Sequence, residues 1–191
     1  MKNAGARLRL RPVEQSDAES LLQLNIENRD FFGPRSSPQP DEYFTLEGQL
    51  AHIERAQKML AEQTGVILTA RLLETDELIG FVAVFGVLRG GFQEARIGYN
   101  FSERYGGKGF ASEAVELAVP YAFETLDLHR LETGVQLDNP ASMRVLTKAG
   151  FREEGISLGW VKTSDGRWHD AKRFALTREE WEERARAPRQ P

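Results

Sequence analysis

The sequence predicts an α/β fold of the α+β kind, and three observations predict it. Runs rich in β-branched and aromatic residues, at Val66 to Leu73, Leu78 to Leu88 and Glu94 to Phe101, follow one another with only short connections, as antiparallel neighbours do. Stretches with apolar residues at helical spacing lie before and after them, over residues 16–28, 45–62 and 110–121. The third strand then passes into a helix through Phe101-Ser-Glu-Arg-Tyr-Gly-Gly-Lys-Gly-Phe-Ala-Ser-Glu-Ala-Val, with glycine at 106, 107 and 109.

Arg7 to Arg11 alternates Leu8 and Leu10 with arginines and meets Pro12, which reads as a short strand ended by a turn. Ser16-Asp-Ala-Glu19 has the spacing of a capping box, and Leu21, Leu22, Leu24 and Ile26 carry the following helix to about Asn28. Three prolines and a glycine within residues 31–40 preclude a regular element. Thr45 to Glu62 is a second helix, closed by Gly65. Glu74-Thr-Asp-Glu77 is a hairpin turn between the first two β-rich runs. Along the third, Ala95, Ile97, Tyr99 and Phe101 alternate as a half-buried strand, and Gly98 marks a bulge or a close backbone approach. Pro120 should kink the helix after the glycines near Glu116. Leu131 to Leu137 is another strand, and Asn139, Pro140 and Gly150 bracket a helix as N-cap, first position and stop. Asp165-Gly166 joins two final strands, Gly155 to Lys162 and Trp168 to Leu176, as a hairpin. Thr177-Arg-Glu-Glu180 caps a short last helix. We expect one domain over residues 7–181 and a frayed tail at 182–191.

Composition narrows the chemistry. With 191 residues, 40% hydrophobic and 28% charged, the chain is ordinary globular protein, and a net charge of −4 disfavours general nucleic-acid binding. It has no cysteine, which excludes a thiolate nucleophile, a disulfide framework and cysteine-held zinc. The histidines at 52, 129 and 169 share no ligand spacing, so no metal is expected. Without an apolar run near the roughly 20 residues of a membrane span, we expect a cytoplasmic protein, monomer or homodimer, with no membrane partner.

The glycine turn is the centre of the functional reading. A strand that passes into a helix through glycines aims free N–H groups and the positive helix end at one small volume, and no side chain at 107 or 109 blocks an anion there. A nucleoside-triphosphate loop is set aside because Lys108 is followed by Gly109 rather than Ser or Thr. A dinucleotide fingerprint fails because Ser112 stands three residues past Gly109. The remaining pattern, Arg104-x-x-Gly107-x-Gly109, resembles the acyl-coenzyme A signature of the GNAT superfamily of N-acetyltransferases. Asn139-Pro-Ala-Ser142 leading to Gly150-Phe151 is similar to that superfamily's second motif, at the right distance. Glu27-Asn-Arg-Asp-Phe-Phe, Val87-Leu-Arg-Gly-Gly-Phe, Ile97-Gly-Tyr and Asp165-Gly-Arg-Trp-His-Asp170 look like segments of the ribosomal-protein-alanine N-acetyltransferases.

The resemblance implies a GNAT fold: a mixed, mostly antiparallel sheet with helices on both faces and a splayed strand pair that holds acetyl-coenzyme A, the co-substrate. It implies that Gly107, Lys108, Gly109, Phe110 and Ala111 bind the diphosphate with help from Arg104, that the backbone of Tyr99 and Phe101 pairs with the pantetheine, and that Asn139 and Ser142 face the pantetheine and the sulfur. Ser142 becomes the proton donor to the leaving thiolate. The base is less plain: Arg96, the residue before Ile97-Gly-Tyr, cannot accept a proton. Glu94 lies two residues back, and Glu27, at the end of the first helix, is the preferred candidate. Asn28, Phe31, Arg89, Trp168 and His169 would line the acceptor site. The expected acceptor is a protein N-terminus, above all a ribosomal protein beginning with Ala or Ser; a small amine such as a polyamine, aminoglycoside or amino acid is the alternative, and a non-catalytic acyl-coenzyme A sensor is a third reading.

Overall fold

Strand and helix boundaries follow the local signals except where a buried charge or a close approach overrides them. The structure, a computed structural model, describes residues 6–186. In chain order it runs β1 (Leu8–Pro12), α1 (Ala18–Glu27), α2 (Arg29–Phe32), α3 (Leu46–Ala61), β2 (Val66–Leu72), β3 (Leu78–Leu88), β4 (Glu94–Phe101), α4 (Phe110–Pro120), β5 (Arg130–Gln136), α5 (Pro140–Lys148), β6 (Arg152–Lys162), β7 (Trp168–Thr177) and α6 (Arg178–Arg186). The strands form one seven-stranded sheet in the order β1-β2-β3-β4-β5-β7-β6, in which only β4 and β5 run parallel.

Two apolar layers hold the sheet. On one face Ile79, Val82, Val84, Ala95, Ile97 and Leu131 meet Ala114, Val115, Ala118 and Phe123 from α4 and the turn after it, and Leu146 from α5. On the other, Leu21 and Leu24 of α1 and Ile53 and Ala56 of α3 close over Ile67 and Leu78, with Phe81 and Ala83 at the margin. Each Val, Leu, Ile or Phe among them that is withdrawn from water stabilises the fold by about 1.5–3 kcal/mol before the cost of ordering the chain.

Several boundaries differ from expectation for physical reasons. The first helix is not capped by Ser16 and Glu19. A 3₁₀ turn at Gln15–Asp17 precedes it, capped reciprocally by Glu14 and Asp17, because the Asp17 carboxylate is drawn inward to Arg11 and Arg71. Residues 31–40 do contain helical turns, α2 and a 3₁₀ turn at Gly33–Arg35, since Pro34 falls where a helix needs no N–H. Gln63, with φ of +54°, takes the left-handed position after α3. Gly65 is instead required for close approach, as a Cβ there would lie 2.6 Å from the Val84 carbonyl oxygen. Gly98 is in register opposite Ala83, and the irregularity lies in β3 between Phe85 and Leu88, where Gly86 has φ of +66°. Pro120 ends α4 and is followed by a wider π turn at Tyr121–Thr125, so the relief comes after the proline rather than at Glu116. β6 begins at Arg152, ahead of Gly155. The final helix continues through Arg186 with its box in place: Thr177 N–H reaches Glu180 Oε2 at 2.8 Å. Residues 187–191 of the expected tail lie outside the described residues.

Candidate active site

The site begins where β4 stops pairing with β5. Parallel register holds from Glu94↔Arg130 to Arg96↔Glu132 only, while β4 stays paired with β3 as far as Phe101. Beyond Arg96 the β5 side of β4 is therefore an open slot, along which the backbone of Tyr99 and Phe101 can pair with an extended chain as another strand would.

The slot ends at the glycine turn. Gly107 and Gly109 have φ of +72° and +83°, a left-handed conformation that a Cβ disfavours. A Cβ on Gly107 would meet nothing within 4 Å, and one on Gly109 would meet only the Arg7 guanidinium, at 3.5 Å. Gly109 is the N-cap of α4 and supplies no side-chain acceptor, so the first N–H groups of the helix stay available. Open space, free donors and a positive helix end together fit a diphosphate.

The arginine at this turn is Arg7 rather than Arg104. Arg7 donates through Nη1 to the Lys108 carbonyl at 2.9 Å and through Nε to Glu113 at 2.9 Å, with its guanidinium 4.3 Å from the centre of the Phe110 ring. Glu113 also accepts the N–H groups of Arg7 and Leu8, at 2.6 and 3.0 Å, which ties β1 to the first turn of α4. Arg104 turns to Glu77, which also accepts the Tyr105 hydroxyl at 2.7 Å. Lys108 places Nζ 5.1 Å from the Tyr105 ring centre.

Across the slot, the first turn of α5 presents Ser142. Asn139 Oδ1 accepts the Ser142 N–H at 3.1 Å, so Asn139 acts as the helix cap and fixes that turn. The Tyr99 hydroxyl lies 2.7 Å from Ser142 Oγ and 3.2 Å from the Ser142 carbonyl oxygen. Burial pushes the Tyr99 phenol up to about 12, while its bond to Ser142 pulls the other way.

The side expected to take the acceptor begins at the turn after α1. Asn28 is buried, donating to the Leu24 carbonyl at 2.8 Å and accepting the Glu103 N–H at 2.9 Å, so it pins the end of α1 to the approach of the glycine turn. Glu27 is exposed, accepts from Gln23 Nε2 at 2.8 Å, and lines an open groove with Leu22, Ile26 and Leu46. Among the described residues no hydrogen bond joins it to Ser142 or Tyr99. Phe31 packs against Phe32, and Gln136 Nε2 donates to the Pro34 carbonyl at 3.0 Å. A Cβ on Gly33 would lie 3.1 Å from Ser164 Oγ, so this turn closes on both the end of β5 and the β6–β7 hairpin. In that hairpin His169 Nε2 sits 3.1 Å from Asp165, and Trp168 is 66% exposed. The Arg167 N–H, then Thr163 and His169, draw the Asp165 carboxyl down to about 2. Arg89 is elsewhere: it donates to the Leu126 carbonyl at 2.7 Å and the Gln63 carbonyl at 3.1 Å, beyond the end of β3 and near the start of β4, away from the glycine turn.

Residues 7–152 match the sequence model of the acetyltransferase (GNAT) domain. The chain belongs to the GNAT acetyltransferases. It is 44% identical over 172 residues to the "Probable N-acetyltransferase YjcK" of Bacillus subtilis, covering 90% of this chain and 94% of that protein. It is 29% identical over 177 residues to the [ribosomal protein uS5]-alanine N-acetyltransferase of Escherichia coli, with 92% and 90% covered. Among solved structures, Mycobacterium smegmatis RimJ in complex with CoA-disulfide superposes with a TM-score of 0.84 at 25% identity, over 91% of this chain and 83% of that one. The ribosomal-protein-S5-alanine acetyltransferase of Vibrio fischeri shares the fold with a TM-score of 0.86 at 23% identity, with 92% and 96% covered.

In this GNAT chain the glycine turn, Tyr99, Phe101 and Ser142 border one slot, and Asn139 caps the helix that carries Ser142. Asn28 and Arg89 are structural ties, and Arg104 is paired away to Glu77. Sequence reasoning missed Arg7, which lies 101 residues before Lys108 with no spacing pattern to link them. It also missed the Tyr99 hydroxyl, because strand alternation marked that side chain only as half-buried.

Proposed function

We propose that this acyltransferase moves the acetyl group of acetyl-coenzyme A to the α-amine of a protein, a ribosomal protein that begins with alanine or serine. The observation that carries the proposal is the slot: strand backbone free on one side, a glycine cradle at one end and Ser142 across from Tyr99. The donor supplies an activated acyl group, which needs no metal to react with an amine. Gly107 to Ala111 hold its diphosphate, Tyr99 and Phe101 align its arm, and Ser142 gives a proton to the departing sulfur. Glu27 is proposed as the base, through water, because its carboxylate borders the acceptor side. The likeness to the uS5-alanine enzyme over 92% of the chain supports a protein acceptor, and a ribosomal acceptor would place the enzyme in the cytoplasm.

The test is release of the coenzyme A thiol with short peptides that start with Ala or Ser, beside a panel of polyamines, aminoglycosides and amino acids. Turnover confined to the peptides is the expected result. Preference for a small amine would replace the acceptor, and tight donor binding with no turnover on any amine would make the protein a sensor.

A further inference from the structure

The slot contains a second hydroxyl. Tyr99 reaches from β4 to α5 with its ring packed on the core, and its oxygen lies 2.7 Å from Ser142 Oγ and 3.2 Å from the Ser142 carbonyl oxygen. A phenol has one proton, and a carbonyl can only accept. The shorter contact is at the usual length for O–H···O bonds, and the longer one is beyond their normal range. If Ser142 donated to Tyr99, the phenol proton would be left with the longer carbonyl contact, the weaker of the two for this half-buried hydroxyl. The shorter contact favours a bond from Tyr99 to Ser142 Oγ, which leaves the Ser142 proton free to point away from Tyr99.

We propose that Tyr99 is a positioning residue: its hydroxyl fixes Ser142 with that proton directed into the slot, and resupplies Ser142 as Ser142 protonates the leaving thiolate. The inference rests on Ser142 as the proton donor. As the C–S bond breaks, an S–H bond forms at the expense of the Ser142 O–H. The Tyr99 O–H breaks as a new Ser142 O–H forms. The phenolate then takes up, through solvent, the proton that Glu27 drew from the acceptor nitrogen as it became an amide, so Glu27 and the two hydroxyls end as they began. Because burial raises the phenol well above neutrality, Tyr99 enters each cycle protonated.

Wild type, Tyr99→Phe, Ser142→Ala and the double variant are compared in kcat and KM with the amine the wild type uses best, and in acetyl-coenzyme A affinity by calorimetry. Tyr99→Phe should lower kcat about tenfold or more and leave donor affinity within about threefold. The double variant should be no slower than Ser142→Ala alone, since Tyr99 acts only through Ser142. Wild-type kcat in Tyr99→Phe, a raised KM alone, or additive losses in the double variant would each overturn the role of Tyr99. Full kcat in Ser142→Ala would instead sink the reading of Ser142, and this inference with it. Apart from turnover, the ring-carbon resonance of Tyr99 bonded to the hydroxyl should shift in free Ser142→Ala protein; no shift would remove the hydrogen bond on which the role depends.

Discussion

Asp17 has no exposed surface, and its neighbours decide what its charge does there. Arg11 meets both carboxylate oxygens at 2.8 Å, Arg71 adds a bond at 2.7 Å, and the Glu14 N–H another at 2.9 Å. Burial by itself would raise the carboxyl, but the Glu14 N–H and the two guanidiniums outweigh it and hold Asp17 below the ordinary carboxylate value. A depressed folded value contributes stability that is fully present above the unfolded pKa of about 3.9 and is lost as pH falls through the folded one. Asp17→Ala should destabilise the protein by about 1–3 kcal/mol at neutral pH, because Arg71 and Arg11 lose their shared buried carboxylate and keep only the longer ion contacts to Asp76 at 3.8 Å and Glu14 at 3.4 Å. In urea titrations the gap between wild type and Asp17→Asn should narrow as pH drops below about 4; a constant gap across that window would contradict the assignment. At the same scale, Ser142→Ala should lower turnover by about 10²-fold or more if its proton reaches the thiolate, with donor affinity changed by no more than about 0.5–1.5 kcal/mol. Unchanged turnover with a weakened KM would reduce Ser142 to a contact with the donor.

Among elements, the glycine turn gives the sharpest forecast, and the structure refines how it is tested. Gly107→Val should abolish acetyl-coenzyme A binding, but at φ of +72° it also strains the backbone, by about 1–2 kcal/mol. Gly107→Asn is the cleaner variant, because asparagine accepts the left-handed conformation while still placing a side chain in the open volume. Calorimetry should find binding lost in both and the melting temperature lowered chiefly in the valine variant; full binding by Gly107→Asn would remove the diphosphate from this turn. Elements whose signals are local were legible in the sequence. Asn139, Pro140 and Gly150 bounded α5 as expected, and the strand–glycine–helix junction came out where the spacing put it. The misplaced features depend on distant partners. The capping box expected of Ser16 and Glu19 gave way because Asp17 is drawn to Arg71 in β2, Gly65 answers to the Val84 carbonyl, and Arg104 found Glu77. Arg7, tied to Lys108 and Glu113, could be recognised only after the chain had folded.

For the whole molecule, the decisive feature is that the splay opens between two differently covered faces. Tyr99 turns toward the α4 and α5 side, whereas Gly98, opposite Ala83, turns toward the α1 and α3 side with Phe85 3.4 Å from its Cβ position. Under the proposed function a donor at the glycine cradle and an acceptor from the side of the Phe31 turn would meet in the slot, and the same topology made the motifs readable although 35 residues separate Gly107 from Ser142. Among the described residues nothing favours a covalent relay instead. The chain has no cysteine, and Ser142 Oγ has Tyr99 as its side-chain partner rather than a base. His52 lies by Tyr43, His129 by Glu179 at 3.4 Å, and His169 by Asp165, so no imidazole stands ready to activate it. The proposed function therefore implies direct attack by the amine within a ternary complex. Initial-velocity lines should intersect when donor and acceptor are varied together, and mass spectrometry after incubation with acetyl-coenzyme A alone should find no acetylated Ser142. Parallel lines, or a stoichiometric acetyl-serine that an acceptor then discharges, would show that the two substrates take turns in the slot.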